Sequence, residues 1–401
     1  MMNFKQYTTA TKIVIPDGVQ LTTNNFYNAF RSMGNVRNIQ IPNSVTNISY
    51  AYALCANLVC TPVCSENVIN MSYAYSNCTN LTGSPVCGNN VGNMSGAYRN
   101  SRNLTGNPVC GKNVTNMRYA YSYCYNLIGS PMCGEKVRDM SWAYESCRNL
   151  TGSPVCGENV KYMSNTYYGC YNLTGSPVCG SNVTDMGWAY DSCKNLTGSP
   201  VCGENVVTMS RAYLNCSNLT GNPVCGNNVT NMGQTYYNCS NLTGNPVCGN
   251  NVTNMGSTYY NCTNLTGSPV CGNNVTNIAG AYSNCYNITG NPVCGAKVTN
   301  MFNTYANCIN IASNGYFHSN SISNMCKCFC GRNTSNYLNL YVPANSTTLT
   351  TALYNNTVSM VGAAITWTDD TVTNGCYYNT QYNIYIYPVD DVAAARTANG
   401  D

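Results

Sequence analysis

The sequence predicts an α/β repeat solenoid with strand-rich caps, in which each repeat forms one short parallel strand and one short helix or helical turn. Three observations predict this fold. The phrase NLTGSPVCGNNVTNMxxAYxNC recurs with few changes from about residue 45 to residue 311. Within it, one apolar position returns at a constant interval of 23 residues. Each repeat also joins a helical spacing of apolar residues to a short extended phrase, which is typical of repeat architectures.

The apolar position lies in the step Asn-Leu-Thr-Gly, and a period of 23 falls in the range of leucine-rich repeats. It is occupied by Leu58, Leu81, Leu104, Leu127, Leu150, Leu173, Leu196, Leu219, Leu242, Leu265, Ile288 and Ile311. Because terminal repeats of such arrays differ from the middle ones, we divide the chain into three parts. These are an N-terminal cap (1–45), the repeats (46–311), and degenerate repeats with a C-terminal cap (312–401).

The first half of each repeat has apolar residues at i, i+3, i+4 and i+7. In one repeat these are Met71, Ala74, Tyr75 and Cys78. That spacing places all four on one face of a short helix or helical turn, so we expect them in the core.

The second half, Ser-Pro-Val-Cys-Gly, is short, extended and closed by glycine, which predicts one brief strand per repeat. Clearer strand patterns precede Pro16, Pro42, Pro343 and Pro388, near the two ends of the chain. Parallel strands stack about 4.8 Å apart, so twelve or thirteen turns would extend roughly 60 Å.

The amino-acid composition narrows the classes of partner and location that we expect for this protein. Only 8% of residues are charged and the net charge is +4, which implies no polyanionic partner and no nucleic acid. No charged residue lies between Arg211 and Lys297, which favours self-association or a place in a larger assembly. The first residues, MMNFKQYTTATKIVIP, lack the apolar segment of a secretory signal, and no window is apolar enough for a membrane span. We therefore expect synthesis in a cytosol and no membrane span.

The run V-T-N-M-x-x-A-Y-x-N-C-x-N-L-T resembles the BspA-type leucine-rich repeats of bacterial surface proteins and their mycoplasma relatives. Those repeats have Phe where this chain has Tyr, and I-x-I-P where its middle repeats have P-V-C-G. The resemblance implies a leucine-rich-repeat fold and a role in adhesion and ligand binding. The phrases LYVPANSTT and YNIYIYP are similar to those that close repeat proteins of tailed phages of gut bacteria. This second resemblance implies a virion protein made in the host cytoplasm and released by lysis; the alternative location is the bacterial cell surface.

Eleven of the 27 cysteines lie in the helical phrase and eleven in the extended phrase. Three interpretations are open: buried free thiols, disulfides within or between turns, and zinc ligands. Ser101 replaces one cysteine of the helical phrase, while Cys87 and Cys110 on either side are kept. An obligate disulfide would lose both partners together, so this favours free thiols.

Metal and catalytic sites are not expected. Cys326, Cys328 and Cys330 are too closely spaced for one tetrahedral site, and packing of Cys326 and Phe329 on a helical face is the preferred interpretation. His318 is the only histidine. The adjacent acids at 369–370 and 390–391 do not resemble the facing carboxylates of a glycosidase, and no phosphate-binding or nucleophile motif occurs. We predict a non-enzymatic protein without a cofactor.

Variation is concentrated beside the helical phrase, two residues after the Met, one residue after the Tyr and one residue after the Cys. The position after the Tyr holds Arg99, Glu145, Tyr168, Asp191, Tyr237 and Tyr260. An exposed stripe of Trp, Tyr and Arg has the composition of a binding hot spot and suits stacking on sugar rings. Random drift of solvent-facing positions is the alternative. The predicted binding residues are Tyr119, Tyr125, Trp142, Arg148, Tyr171, Trp188 and Lys194.

These observations predict a binding or structural protein, foremost a phage fibre or receptor-binding component. Its partners would be a bacterial cell-surface ligand, glycan or protein, and other virion proteins or further copies of itself. A self-assembling structural protein and a bacterial surface adhesin are the alternatives.

Overall fold

The computed structural model describes residues 4, 6–7, 9–19, 21, 23–354, 360–363 and 365–400. The chain divides into two compact units, Met1–Gly203 and Glu204–Asp401. Each unit contains turns of 23 residues that stack on one another.

The first unit begins with two short parallel strands, β1 (Lys12–Val14) and β2 (Asn38–Gln40), in which Ile13 lies opposite Ile39. From there the turns pair through single parallel bridges at the residue before each Met, as in the series Asn70, Asn93 and Asn116. Parallel stacking of the repeats is thus confirmed.

The predicted short helix is wrong, because the Met-to-Cys phrase forms consecutive β-turns. In residues 71–78, the amide of Ala74 donates to the Met71 carbonyl and that of Cys78 to the Tyr75 carbonyl. Their third residues, Tyr73 and Asn77, have φ of 53° and 61°, which the type II turn requires. A turn bond spans i to i+3, so a row of turns produces the same apolar spacing as a helix.

Alternate amides of this phrase bond to the next turn, which a helix would not allow. The amides of Met71, Tyr73 and Tyr75 donate to carbonyls of the following turn over 3.0, 2.8 and 2.8 Å. A helix would direct these donors to its own carbonyls. The tandem turns therefore provide the hydrogen bonds that join neighbouring repeats.

The core of each unit contains a column of stacked aromatic rings. In the first unit it runs from Phe30 through the tyrosine of every turn to Tyr190, with ring centres 4.6–5.7 Å apart where neighbouring turns meet. These side chains, and the Met, Ala and Cys that share their face, are buried. The inward face predicted from the sequence is confirmed.

The second unit repeats this arrangement and ends in a sheet. Its tyrosine column runs from Tyr213 to Tyr305 and ends at Phe329. The strands and helices of the second unit, in chain order, are β3 (Val293–Cys294), β4 (Asn314–Phe317), β5 (Leu338–Pro343), α1 (Thr347–Tyr354), β6 (Thr368–Asp370), β7 (Cys376–Asn379), β8 (Ile384–Val389) and α2 (Val392–Ala398).

The sheet has the strand order β3-β4-β5-β8-β7-β6. Its first four strands are parallel, and β7 pairs antiparallel with both neighbours. The long strands predicted before Pro343 and Pro388 are therefore present. The buried guanidinium of Arg332 donates to the carbonyls of Asn336 and Asn383, which attaches the segment before β5 to the start of β8.

The strand predicted at Ser-Pro-Val-Cys-Gly is wrong for most turns, and the core tyrosine supplies the reason. The Tyr98 hydroxyl donates to the Val86 carbonyl over 2.6 Å and accepts from the Val86 amide over 3.0 Å. Tyr121 holds Val109 in the same way, over 2.6 and 3.1 Å. Each tyrosine hydroxyl thus satisfies backbone groups that a strand would present to its neighbour.

Where the phrase does form a strand, this bridge is lost. Val293 lies in β3 and pairs with β4, and the buried hydroxyl of Tyr305, twelve residues later, has no hydrogen-bond partner among the described residues. The same holds for Tyr52, which follows Gln40 of β2 by twelve residues. In these two turns the strand pairing and the unbonded tyrosine hydroxyl occur together.

Candidate binding surface

The tandem turns present two variable positions to solvent. Position +2 is the second residue after the Met, and position +8 is the residue after the Cys. Of the predicted residues, Tyr119, Trp142 and Trp188 occupy position +2, while Tyr125, Arg148, Tyr171 and Lys194 occupy position +8. All seven belong to the first unit.

Position +2 is the left-handed residue of its type II turn. Tyr119, Trp142 and Trp188 have φ of 58°, 57° and 60°. This conformation costs a residue with a Cβ about 1–2 kcal/mol, with asparagine and glycine the tolerant exceptions. Asn165 and Gly96 occupy the same position in other turns. The large aromatics are therefore placed where the backbone itself favours small residues.

Contacts with neighbouring turns hold these aromatic rings in place. Tyr119 and Trp142 stack with ring centres 5.0 Å apart, and the Arg118 guanidinium lies 4.5 Å from the centre of the Trp142 ring. Trp188 contacts the edge of Tyr168 at 6.1 Å. The rings are half-buried and form an ordered surface.

Position +8 carries a column in which cations and aromatics alternate over five consecutive turns. Its members, called here the cation–aromatic column, are Arg102, Tyr125, Arg148, Tyr171 and Lys194. The Tyr125 ring centre lies 5.5 Å from the Arg102 guanidinium and 4.7 Å from that of Arg148. The Tyr171 ring centre lies 5.8 Å from Arg148 and 5.9 Å from the Lys194 ammonium.

This arrangement corrects one detail of the predicted stripe. Because Tyr125 and Tyr171 each have a cation over the ring from both neighbouring turns, their faces are not open for stacking on a sugar ring. Tyr125 is half-buried, and Tyr171 is 40% exposed. The structure thus brings four of the seven predicted residues into one continuous column. Tyr119 and Trp142 form a separate stack, and Trp188 contacts Tyr168.

Tyr123, which the sequence did not single out, lies between the two positions and bonds to Glu145, one of the variable residues that follow the core Tyr. The Glu145 carboxylate accepts hydrogen bonds from Ser122 over 2.8 Å and from the Tyr123 hydroxyl over 3.0 Å. Burial, and then the Glu145 carboxylate, raise the pKa of Tyr123. The Tyr123 ring meets Tyr125 edge-on at 6.2 Å. The sequence indicates these contacts of Tyr123 only in that a tyrosine replaces the asparagine found at this position in many repeats.

A surface depression of about 280 Å³ lies at one end of the column. Its lining residues are Asn77, Arg99, Asn100, Arg102, Tyr123 and Tyr125. The Arg102 guanidinium is oriented there by a hydrogen bond of 2.8 Å from its Nε to Asn100. The depression combines two cations with amide and phenol groups, which suits a polar or anionic ligand.

The inner cysteines are buried thiols that hydrogen-bond to the neighbouring turn. Cys78 donates to the Tyr52 carbonyl and Cys124 to the Tyr98 carbonyl, both over 3.0 Å. Ser101 makes the equivalent bond to the Tyr75 carbonyl over 2.7 Å, which explains how serine replaces cysteine there. A thiol in this position stabilises the stack without a covalent partner.

The cysteines of the extended phrase are half-buried, and burial raises their pKa. The pKa of Cys110 rises to about 11 and that of Cys133 to about 12. These thiols are protonated at neutral pH, whereas nucleophilic catalysis needs the thiolate. Their chemistry therefore favours packing.

The segment 325–330 continues the tandem-turn pattern. Phe329 is buried and stacks on Tyr305 at 5.4 Å, and the buried cysteine beside it is Cys328, while Cys326 is half-buried. The expectation that Cys326 shares a helical face with Phe329 is therefore wrong, since turns replace the helix. Among the residues that the structure describes, no three His, Cys, Asp or Glu side chains are grouped to hold a metal ion.

None of the helices in the described part of the chain has the length and apolar character that crossing a membrane requires.

Stacked turns of 23 residues, joined in parallel around a column of aromatic and aliphatic side chains, define a leucine-rich-repeat protein. The chain belongs to the family of the BspA type leucine rich repeat region. The model of this family has 6 copies of the repeat and matches residues 2–128 and 160–289. It is similar in fold to a leucine-rich repeat protein from Bacteroides ovatus, with a TM-score of 0.57 at 15% sequence identity. That similarity covers 83% of this chain and 87% of the other. No curated protein matches the sequence.

Proposed function

We propose that this protein is a non-enzymatic binding solenoid whose ligand contacts the tandem-turn surface of the first unit. The observation that carries the proposal is the presence of Tyr119, Trp142 and Trp188 in left-handed conformations. Gln234 and Ser257 adopt the same backbone in the second unit, so the fold does not require an aromatic residue there. Large aromatics with cations beside them are the usual composition of binding hot spots.

The ligand we propose is a component of a bacterial cell surface, and the setting is a phage particle in which the protein acts as a fibre or receptor-binding component. The resemblance of its closing phrases to phage repeat proteins supports this setting. Mass spectrometry of particles purified from a lysate of the producing cells tests it: the protein should copurify with capsid proteins. Recovery with the cell envelope instead would favour a bacterial adhesin.

The ligand surface is tested with substitutions that other turns already contain. In the test variant, Trp142→Asn and Trp188→Asn introduce the residue of Asn165, and Arg148→Ser introduces the residue of Ser217. Because Asn tolerates the left-handed conformation, the fold should keep or gain stability. Attachment to host cells should weaken by about 2 kcal/mol or more, the usual hot-spot threshold.

The matched control changes the same positions in the second unit: Gln234→Asn, Ser257→Asn and Thr263→Ser. It should bind host cells like the parent protein. Equal binding by both variants and the parent would show that the variable positions of the first unit have drifted without a function.

Self-association is the second candidate function, and one observation favours it. Residues 212–296 contain no charged side chain, and within them Tyr237 and Tyr260 stack at 4.6 Å on the outer side of the turns. Such a neutral surface offers no charge repulsion between copies. Sedimentation of the purified chain over a range of concentrations should then show a defined oligomer. A monomer at all concentrations would refute this candidate.

A further inference from the structure

The cations of the cation–aromatic column are unneutralised. Arg102, Arg148 and Lys194 are exposed, and within the described residues none of them forms a salt bridge. By contrast, Arg118 beside position +2 lies 3.9 Å from the Asp139 carboxylate. No repeat of this chain has an acidic residue at position +8. The column is therefore a line of positive charge in which no described carboxylate lies within salt-bridge distance of a cation; the nearby Glu145 carboxylate bonds to Ser122 and Tyr123 instead.

The spacing of these charges is set by the fold. A cation occurs at every second turn, and two turns stacked like parallel strands separate neighbouring cations by about 10 Å. The rings of Tyr125 and Tyr171 lie between the cations and orient them through cation–π contacts. Side chains that are already ordered lose less conformational freedom on binding, so the column is preorganised for a ligand with a matching repeat.

We propose that the ligand of this surface is an acidic polysaccharide with one negative charge in every disaccharide. This inference rests on the proposed binding function and specifies its ligand class. Two sugars of an extended chain span about the distance between neighbouring cations of the column, so each carboxylate or sulfate would meet one cation. The phenol groups of Tyr125 and Tyr171 would bond to the hydroxyls of the intervening sugars.

The covered ring faces distinguish this ligand from two others. A neutral glycan is commonly bound by open aromatic faces, and single-stranded nucleic acid needs such faces for its bases. In this column the cations cover those faces. The net charge of +4 for the whole chain did not reveal this surface, because acids elsewhere offset a local line of positive charge.

The probes for the test are hyaluronan, with one carboxylate per disaccharide, and the same polymer after reduction of its carboxyl groups. Polygalacturonate serves as a second acidic glycan, and poly-dT as a polyanion of another class. Binding of the full chain to each immobilised polymer is measured over a series of NaCl concentrations. We expect binding to hyaluronan that weakens with salt, weaker binding to polygalacturonate, whose carboxylate on every sugar does not match the spacing of the cations, and no binding to the reduced polymer.

Two variants with equal loss of charge test the role of the column. The column variant is Arg102→Gln, Arg148→Gln and Lys194→Gln; the control is Lys112→Gln, Lys136→Gln and Arg138→Gln, whose parent side chains are also exposed cations of the first unit. The column variant should lose about tenfold or more in affinity and most of its salt dependence, whereas the control should stay within about threefold of the parent.

Equal losses in the two variants would show diffuse charge attraction and overturn the proposal. So would binding to poly-dT or to polygalacturonate that is tighter than binding to hyaluronan, or an absence of binding to hyaluronan. If the acidic glycans fail while Trp142 and Trp188 are still needed for attachment to host cells, the ligand class is wrong and the binding function stands. If host-cell attachment is also unaffected, both fail.

Discussion

The hydroxyl of the core tyrosine bridges the backbone of the extended phrase in most turns, and two substitutions test how much this bridge stabilises the fold. Tyr259 and Tyr305 are both buried in the second unit and stack on Tyr282 from opposite sides. The Tyr259 hydroxyl accepts from the Val247 amide over 3.0 Å and donates to its carbonyl over 2.7 Å. The Tyr305 hydroxyl has no partner among the described residues. Replacement with phenylalanine removes only the hydroxyl and leaves the ring stack in place.

The two substitutions should change the free energy of unfolding differently: Tyr259→Phe should lower it, and Tyr305→Phe should not. Tyr259→Phe loses two hydrogen bonds and leaves a backbone donor and acceptor without partners, at about 1–3 kcal/mol for each buried group, so we expect a loss of about 2–4 kcal/mol. Tyr305→Phe removes a buried hydroxyl that is not hydrogen-bonded, so stability should be unchanged or rise by about 1 kcal/mol.

Urea unfolding of the full chain gives the two stability changes, provided that the slope of the transition is the same for all three proteins. Hydrogen exchange of the segment around Val247 provides a local readout and should accelerate only in Tyr259→Phe. Equal effects of the two substitutions would refute the reasoning. A loss below about 1 kcal/mol in Tyr259→Phe would mean that neighbouring turns satisfy Val247 without the hydroxyl.

The remaining predictions concern the cysteines. Cys124→Ser should stay within about 1 kcal/mol of the parent in urea unfolding, because Ser101 shows that a hydroxyl makes the same bond, whereas Cys124→Ala should lose about 2 kcal/mol or more; equal losses would show that the bond is unimportant. Thiol titration of the unfolded chain should find most of the 27 cysteines free, and reductant should leave the melting temperature unchanged; a fall of many degrees would reveal disulfides. Since burial raises the pKa of Cys110 from 9.0 to about 11, stability should be complete below about pH 9 and decline as the pH rises through about 11; a constant melting temperature over that range would contradict the burial of these thiols.

The repeat period and the inward face were predictable from the sequence, because both depend only on spacing. Met71, Ala74, Tyr75 and Cys78 are all buried, as their periodicity predicts. The backbone conformation was not predictable from that periodicity, since type II turns place the same residues on one face. The useful evidence was the asparagine that recurs before the cysteine, as at Asn77, where the left-handed turn residue lies.

The sequence predicted a strand in the extended phrase, but the backbone groups of that phrase bond to a side chain. Pro-Val-Cys-Gly is extended, but the Tyr98 hydroxyl occupies both hydrogen-bonding groups of Val86. The sequence contained the relevant difference, tyrosine in place of the family's phenylalanine, without showing where the hydroxyl would point.

The candidate surface was partly predictable. Position +8 could be aligned from the period alone, so the alternation from Arg102 to Lys194 was visible in the sequence. What the sequence did not show is that the Tyr125 and Tyr171 rings lie between cations. That contact depends on how far the turns are apart and on the direction of each side chain, which only the folded chain determines.

The central claim is that the tandem-turn surface of the first unit contacts the ligand, and side-chain footprinting on intact host cells tests it most directly. Hydroxyl radicals label accessible aromatic side chains, so the labelling of free and cell-bound protein can be compared residue by residue. We expect protection of Tyr125, Trp142 and Tyr171 in the bound protein, with Tyr237 and Tyr260 labelled equally in both states. Protection confined to the second unit, or to the sheet that ends it, would contradict the account.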